Sequence, residues 1–217
     1  MRESRVATPH GDGRSFTFRA RRPTATLLLS HGAGAGVGSR DLQALAADLP
    51  RNGITVVLFD QPWVVAGRKV ATPPPTLDDG LRAAAARLRP TGPLVVGGRS
   101  AGARSACRTA QELGAAGCLA LSFPLHPPGK PEKSRLGELA SAGVPTLVVQ
   151  GERDTFGAPE EFPDGLEHVD MAVVPGGDHG FKVPRSGAVS QDDALAIVVE
   201  ATLEWIVREV VGESAGL

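Results

Sequence analysis

The chain has 217 residues, 41% of them hydrophobic and 22% charged, with a formal net charge of −1. That length suits one domain over residues 1–217 with a sizeable buried core. The charge balance excludes a constitutive nucleic-acid binder, which needs a clear excess of Lys and Arg, and no stretch reaches the ~20 apolar residues that span a bilayer. Two cysteines, Cys107 and Cys118, lie in small apolar surroundings. They point away from a disulfide framework and toward a reducing compartment. Residues 1–14 are polar and hold no apolar run of the signal-peptide kind. The expected location is cytoplasmic.

Along the chain, residues 5–19, interrupted by Gly11-Asp-Gly13, read as an antiparallel edge hairpin. Residues 26–30 form a continuous apolar strand of the kind covered on both faces. Ser39 is placed to cap a helix in which Leu42, Leu45, Ala46 and Leu49 recur at helical spacing, with Gly53 just beyond. Residues 54–59 are the next strand, ending at Asp60. Thr76 with Asp79 forms a capping-box pattern that opens a helix to about Leu88. Residues 94–97 are a strand, 101–113 a helix stopped by Gly114, and 117–122, 146–151 and 167–174 three further strands. A short helix is expected around 135–142. Ser190, Asp192 and Asp193 open a last helix with acidic groups at its dipole-favoured end. Its Glu200, Glu204 and Arg208 form a polar stripe.

Strands alternating with helices predict an α/β fold: a mainly parallel twisted sheet with helices on both faces. In such a sheet the loops leaving the carboxyl ends of the strands share one rim, where ligands bind. Those loops are 31–38, 60–75, 98–102, 123–133, 152–158 and 175–181.

On that rim, Gly98-Arg-Ser-Ala-Gly102 fits G-x-S-x-G, directly after an apolar strand and directly before a helix. This is the sharp turn that projects a serine hydroxyl above the sheet. A serine needs a base, and the base an orienting acid. Of the five histidines, His168 falls at the opposite rim and His10 in the edge hairpin. His31 and His126 lie on the correct rim but precede the acid, whereas His179 follows the last strand in a glycine-rich segment that can lay its ring over Ser100. Asp154, three residues beyond the strand ending at Gly151, is the candidate acid, with Glu152 as its substitute and Asp60 a remote one. Asp178 adjoins His179 and is poorly placed to fold back on it. The order Ser100, Asp154, His179 is the one these roles take on this type of sheet. The oxyanion would be held by the backbone N–H of Ala101, at a helix N-terminus, and by that of Ala33 in the loop 31–34.

These residues resemble the α/β-hydrolase superfamily. More narrowly they resemble its lidless dienelactone-hydrolase-like branch, nearest the group of testis-expressed and NSL-complex-subunit type hydrolase-like proteins. The strings that carry the resemblance are Leu29-Ser-His-Gly-Ala-Gly34, Gly97-Gly-Arg-Ser-Ala-Gly102, Phe123-Pro-Leu-His-Pro-Pro-Gly-Lys-Pro-Glu132, Gln150-Gly-Glu-Arg-Asp-Thr-Phe-Gly157 and Gly177-Asp-His-Gly-Phe181. The resemblance implies Ser100, Asp154 and His179 as a catalytic triad, with the 31–34 loop as oxyanion support. Dienelactone hydrolases proper use a cysteine nucleophile, where this chain has Ser100.

Only residues 123–145 separate the sixth strand from the seventh, which leaves no room for a cap domain and argues against a true lipase. Trp63, Phe123, Phe156 and Phe181 are candidate apolar walls for substrate, with a place in the ordinary core as the competing reading. Arg68, Lys69, Arg99, His126, Lys130 and Lys133 fall on rim loops and suit an anionic acyl group, or else are solvated loop charges near Glu132 and Glu152. No metal-ligand spacing and no cofactor fingerprint is complete, so metal-independent chemistry on a small-molecule substrate is expected. The sequence Gly32-Ala-Gly-Ala-Gly-Val-Gly38 before a helix, with Asp60 ending the next strand, imitates a dinucleotide-binding oxidoreductase, but its glycines do not fall as G-x-G-x-x-G. A hydrolase-fold scaffold without activity is the other competing class. The reading carried forward is a serine hydrolase of small or medium esters, or of thioesters or amides, working through an acyl-enzyme.

Overall fold

The computed structural model describes residues 1–34 and 36–212. Its strands are β1 (Arg2–Thr8), β2 (Gly11–Phe18), β3 (Ala25–Ser30), β4 (Ile54–Asp60), β5 (Leu94–Arg99), β6 (Gly117–Leu121), β7 (Thr146–Gly151) and β8 (Val169–Val174). They form one sheet in the order β1-β2-β4-β3-β5-β6-β7-β8. β1 and β2 make an antiparallel hairpin on the edge, β2 also runs antiparallel to β4, and every other pair is parallel. The α-helices are α1 (Arg40–Asp48), α2 (Pro62–Val65), α3 (Pro74–Arg87), α4 (Ala101–Thr109), α5 (Leu136–Ala140) and α6 (Gln191–Trp205).

Period-two alternation along buried strands divides their side chains between two core layers. Leu27, Leu29, Val56, Leu58, Leu119 and Val149 pack with Leu42 and Leu45 of α1 and Val198 and Trp205 of α6. On the other face Leu28, Val57, Phe59, Val96, Ala120 and Val148 pack with Leu81 and Ala84 of α3, Ala103 and Ala106 of α4 and Leu139 of α5. Both faces are therefore covered, which is why β3 and β4 are buried at every position. Only a single-turn 3-10 helix (Pro131–Lys133) and the short α5 stand between β6 and β7, so no cap is inserted above the rim.

Local details differ from the sequence reading. The hairpin reverses at Pro9-His10, where the Thr8 hydroxyl donates to the Gly11 carbonyl at 2.7 Å. Gly11 to Gly13 instead belong to β2, and a Cβ at Gly13 would meet the Phe59 ring at 2.5 Å. α3 starts three residues earlier than a Thr76 capping box implies, because Pro73, Pro74 and Pro75 preset the helical entry and no side-chain cap forms. Asp79 pairs with His10 and Arg82 instead. α4 stops at Thr109, with Gly114 beyond it at φ 61°. Ser190 does cap α6, accepting from the Asp193 N–H at 3.1 Å. Cys107 and Cys118 are free, fully buried thiols. Among the described residues no helix is long and apolar enough to cross a membrane.

Candidate active site

The β5–α4 turn is held by close backbone approaches. A Cβ at Gly98 would stand 2.5 Å from the Ser30 carbonyl oxygen, and one at Gly102 would overlap that same oxygen. β3 and the start of α4 can lie this close only because both positions lack a side chain. Between them Ser100 adopts φ 53° and ψ −111°, a conformation that costs roughly 1–3 kcal/mol for a non-glycine residue. Its N–H donates to the Leu121 carbonyl at 2.9 Å, and its own carbonyl accepts from Arg104 at 3.1 Å, so both sides of the turn are pinned.

The His179 ring lies over this hydroxyl, with Nε2 2.9 Å from Ser100 Oγ and Nδ1 2.8 Å from Asp154 Oδ2. A carboxylate only accepts, so the Asp154 partner fixes the proton on Nδ1 and leaves the Nε2 lone pair for the serine O–H. Asp154 is buried, and its oxygens also accept from the Phe156 N–H at 2.8 Å and from Gln150 Nε2 at 3.0 Å. The Phe156 ring stacks on the imidazole at a centroid distance of 4.2 Å. Asp178 shapes the loop beneath: its Oδ1 accepts from the Gly180 and Lys182 N–H groups at 2.8 and 2.9 Å. Glu152 instead accepts from the Gly176 N–H, and Asp60 from Val37 and Arg14, so both carboxylates are committed elsewhere.

The loop after β3 packs directly on this turn, since a Cβ at Gly32 would stand 3.2 Å from Ser100 Cβ. His31 fastens its start. The Gln61 N–H donates to His31 Nε2 at 3.0 Å, so the proton sits on Nδ1 and is donated to the Gly32 carbonyl at 2.7 Å. Burial holds the His31 pKa below its ordinary value, in keeping with a neutral ring. Ala101 follows Ser100 at the start of α4 and Ala33 follows Gly32, and neither backbone N–H donates to a protein acceptor among the described residues.

The other expected contacts divide. Phe156 is half-buried at the His179 ring. Phe123 and Phe181, by contrast, are sealed in the two core layers at 0% exposure and present no surface to a ligand. Each follows its strand end by only a residue or a short turn, and the apolar layer below captures it. Trp63 is also buried, edge-on to the His31 ring. His126 is turned inward: Nε2 lies 2.8 Å from Glu161 Oε2 and Nδ1 3.0 Å from the Pro127 carbonyl. Arg99 faces the protein rather than open solvent, paired with the buried Asp41 at 3.2 Å and donating to the His179 carbonyl at 2.7 Å.

Gln150, Gln61 and Asp41 are the supporting residues that sequence reasoning passed over. Gln150 does carry a signal, being a polar side chain inside the buried strand β7, where an amide must find partners. Among the described residues no group of three or more His, Cys, Asp or Glu is placed to hold a metal ion.

The sequence matches the family described as "Alpha/beta hydrolase domain" over residues 23–207. No curated protein matches it. Many solved structures share its fold, among them the following three. A lidless α/β serine hydrolase from Xanthomonas campestris aligns with a TM-score of 0.72 at 19% identity, covering 96% of this chain and 94% of that one. Dienelactone hydrolase from Anabaena variabilis aligns with a TM-score of 0.74 at 18% identity, covering 96% and 97%. Est1E from Butyrivibrio proteoclasticus aligns with a TM-score of 0.72 at 14% identity, covering 95% and 99%.

Proposed function

This chain belongs to the α/β-hydrolase family, and from that premise we propose that it is a serine hydrolase cleaving small or medium carboxylic esters, with thioesters and amides as neighbouring substrate classes. Within the family, the five sequence strings favour a place near the testis-expressed and NSL-complex-subunit type group. The single observation that carries the catalytic reading is the unbroken relay from Ser100 Oγ through His179 to Asp154, at 2.9 and 2.8 Å.

In this reading Ser100 Oγ attacks the ester carbonyl carbon as its proton passes to His179 Nε2, forming the Oγ–C bond and a tetrahedral oxyanion. The N–H groups of Ala33 and Ala101 receive that oxyanion, and losing one such donor typically costs ~10²–10³ in rate. Collapse breaks the bond to the leaving oxygen, which takes the proton from His179 and departs as the alcohol. Water then attacks the acyl-enzyme with His179 as base, releasing the acid and restoring the Ser100 hydroxyl. Asp154 keeps the imidazole in the required tautomer and stabilises it when charged. The ring of Phe156 shields one face of His179.

A fluorophosphonate probe, followed by p-nitrophenyl esters of graded chain length, tests this reading. The wild type is expected to label at Ser100, and Ser100→Ala to lose labelling and about 10³-fold or more in kcat. Wild-type turnover in Ser100→Ala overturns the assignment, and absence of labelling in the wild type favours an inactive scaffold.

A further inference from the structure

At the opposite end of the sheet from Ser100, the strands carry a concave feature. Thr26 is the second residue of β3 and Ser30 its last, so roughly 13 Å of strand separates this end from the rim bearing Ser100. Here the sheet face that packs on α3 runs past the helix end at Arg87 and opens into a cleft of about 650 Å³. Its floor is hydroxylic. Register pairs Ser4 with Ser15 and Thr17 with Val57, which puts these hydroxyls on the same face as the core residue Val57. Thr17 makes no side-chain hydrogen bond among the described residues. Thr55 accepts from the Ala20 N–H at 3.2 Å and keeps its own proton for a ligand.

Five arginines line this cleft, Arg2, Arg5, Arg19, Arg87 and Arg89, and no Asp or Glu is among its described lining residues. All five are exposed. Arg5 has a carboxylate partner in Asp12 at 2.7 Å, and Arg89 donates to the Leu88 carbonyl at 3.0 Å. Arg2, Arg19 and Arg87 have no described partner. Arg87 is accounted for by the negative end of the α3 dipole. That argument does not reach Arg2 on β1 or Arg19 after β2, which meet Arg87 only through the tertiary fold. On a chain with a net charge of −1, such a one-signed concavity is a local excess built by folding.

We propose that this cleft binds a small soluble anion carrying two or more phosphate groups, at a site separate from Ser100. Guanidinium forks match phosphate oxygens in pairs, and the Ser4, Thr17 and Thr55 hydroxyls complete the shell, the Ser15 hydroxyl being already donated to the Ser4 carbonyl at 3.3 Å. The volume lies in the range of small-ligand pockets. Charges ringing a concavity of this size suit a compact anion better than a flat bilayer or a long polymer.

Calorimetric titration of the full chain with inorganic pyrophosphate tests the proposal, with orthophosphate and phosphatidic-acid vesicles as parallel arms. Pyrophosphate is expected to bind one-to-one, more tightly than orthophosphate, and to weaken as salt rises. Arg19→Gln and Arg87→Gln are each expected to weaken it about tenfold, as loss of a charge-assisted hydrogen bond predicts. Both side chains are exposed, so an unchanged Tm without ligand verifies folding of each variant. Absence of pyrophosphate binding at millimolar concentration, equal binding by wild type and both folded variants, or binding to vesicles alone overturns the proposal.

Discussion

The Arg99 guanidinium donates from Nη2 to the His179 carbonyl over 2.7 Å, joining residues 80 positions apart. The same guanidinium is anchored through Nε by Asp41 at 3.2 Å, and Asp41 is buried in the first turn of α1. The residue preceding Ser100 therefore holds the loop that carries the imidazole.

Arg99 is accordingly expected to act as a positioning residue. Arg99→Met should lower kcat about 10- to 100-fold with a smaller change in KM, because a displacement near 1 Å at the reacting groups costs on that order. Asp41→Asn should reproduce part of the loss. Neutral and anionic p-nitrophenyl esters should suffer equally. A loss confined to the anionic series assigns Arg99 to substrate binding instead.

Gln150 braces the acid. Its Nε2 lies 3.0 Å from Asp154 Oδ2 and 2.7 Å from the Gly157 carbonyl, inside the core. Gln150→Leu leaves these buried acceptors short of a donor and should destabilise the fold by about 1–3 kcal/mol in urea denaturation. kcat should fall in the same variant. An unchanged kcat separates the amide from the chemistry.

Gly102 marks the closest approach of α4 to β3. Gly102→Ala drives a methyl group into the Ser30 carbonyl and to 2.7 Å from the His31 carbonyl. Neither backbone atom can rotate away, so a loss of about 1–3 kcal/mol is expected. Chemical denaturation with the wild-type m-value retained measures it, and wild-type stability refutes the packing argument.

His126 and Glu161 form a pH-dependent clasp. Both ring nitrogens of His126 face acceptors, which raises its pKa: first through the Pro127 carbonyl, then through Glu161. Glu161 is lowered, first by the Ala158 N–H and then by His126. A raised histidine contributes stability that is complete below its ordinary value of 6.5 and lost as pH rises through the folded-state value. A lowered carboxylate contributes above its ordinary 4.5 and loses that contribution as pH falls through its folded-state value. The clasp is therefore strongest between those ordinary values. The Tm gap between wild type and Glu161→Gln should be widest there and shrink by pH 8.5, and a gap independent of pH contradicts the geometry.

Much of this arrangement was legible before folding was considered. Continuous apolar runs define β3 to β7 because a strand buried on both faces has no polar side. The turn at Ser100 was readable because glycines at 98 and 102, a preceding strand and a following helix converge on one short segment. Asp154 and His179 could be singled out by lying just past strand ends, on the rim where loops gather. The expected walls Phe123 and Phe181 failed for the converse reason: at a strand end, nothing local decides whether an aromatic ring turns up toward solvent or down into a core layer.

By itself the sequence determined the strand and helix alternation, the rim, and the residue types able to perform acyl transfer, since periodicity, turn chemistry and functional-group identity are local properties. Only the tertiary structure decided that Arg99 reaches back to His179 and across to Asp41, that Gln150 braces Asp154, and that arginines from β1, the end of β2 and the end of α3 surround one cleft. Hydrogen bonds and fields act through space over a few ångströms, and which distant residues come that close is settled by the packing of the two core layers against the sheet.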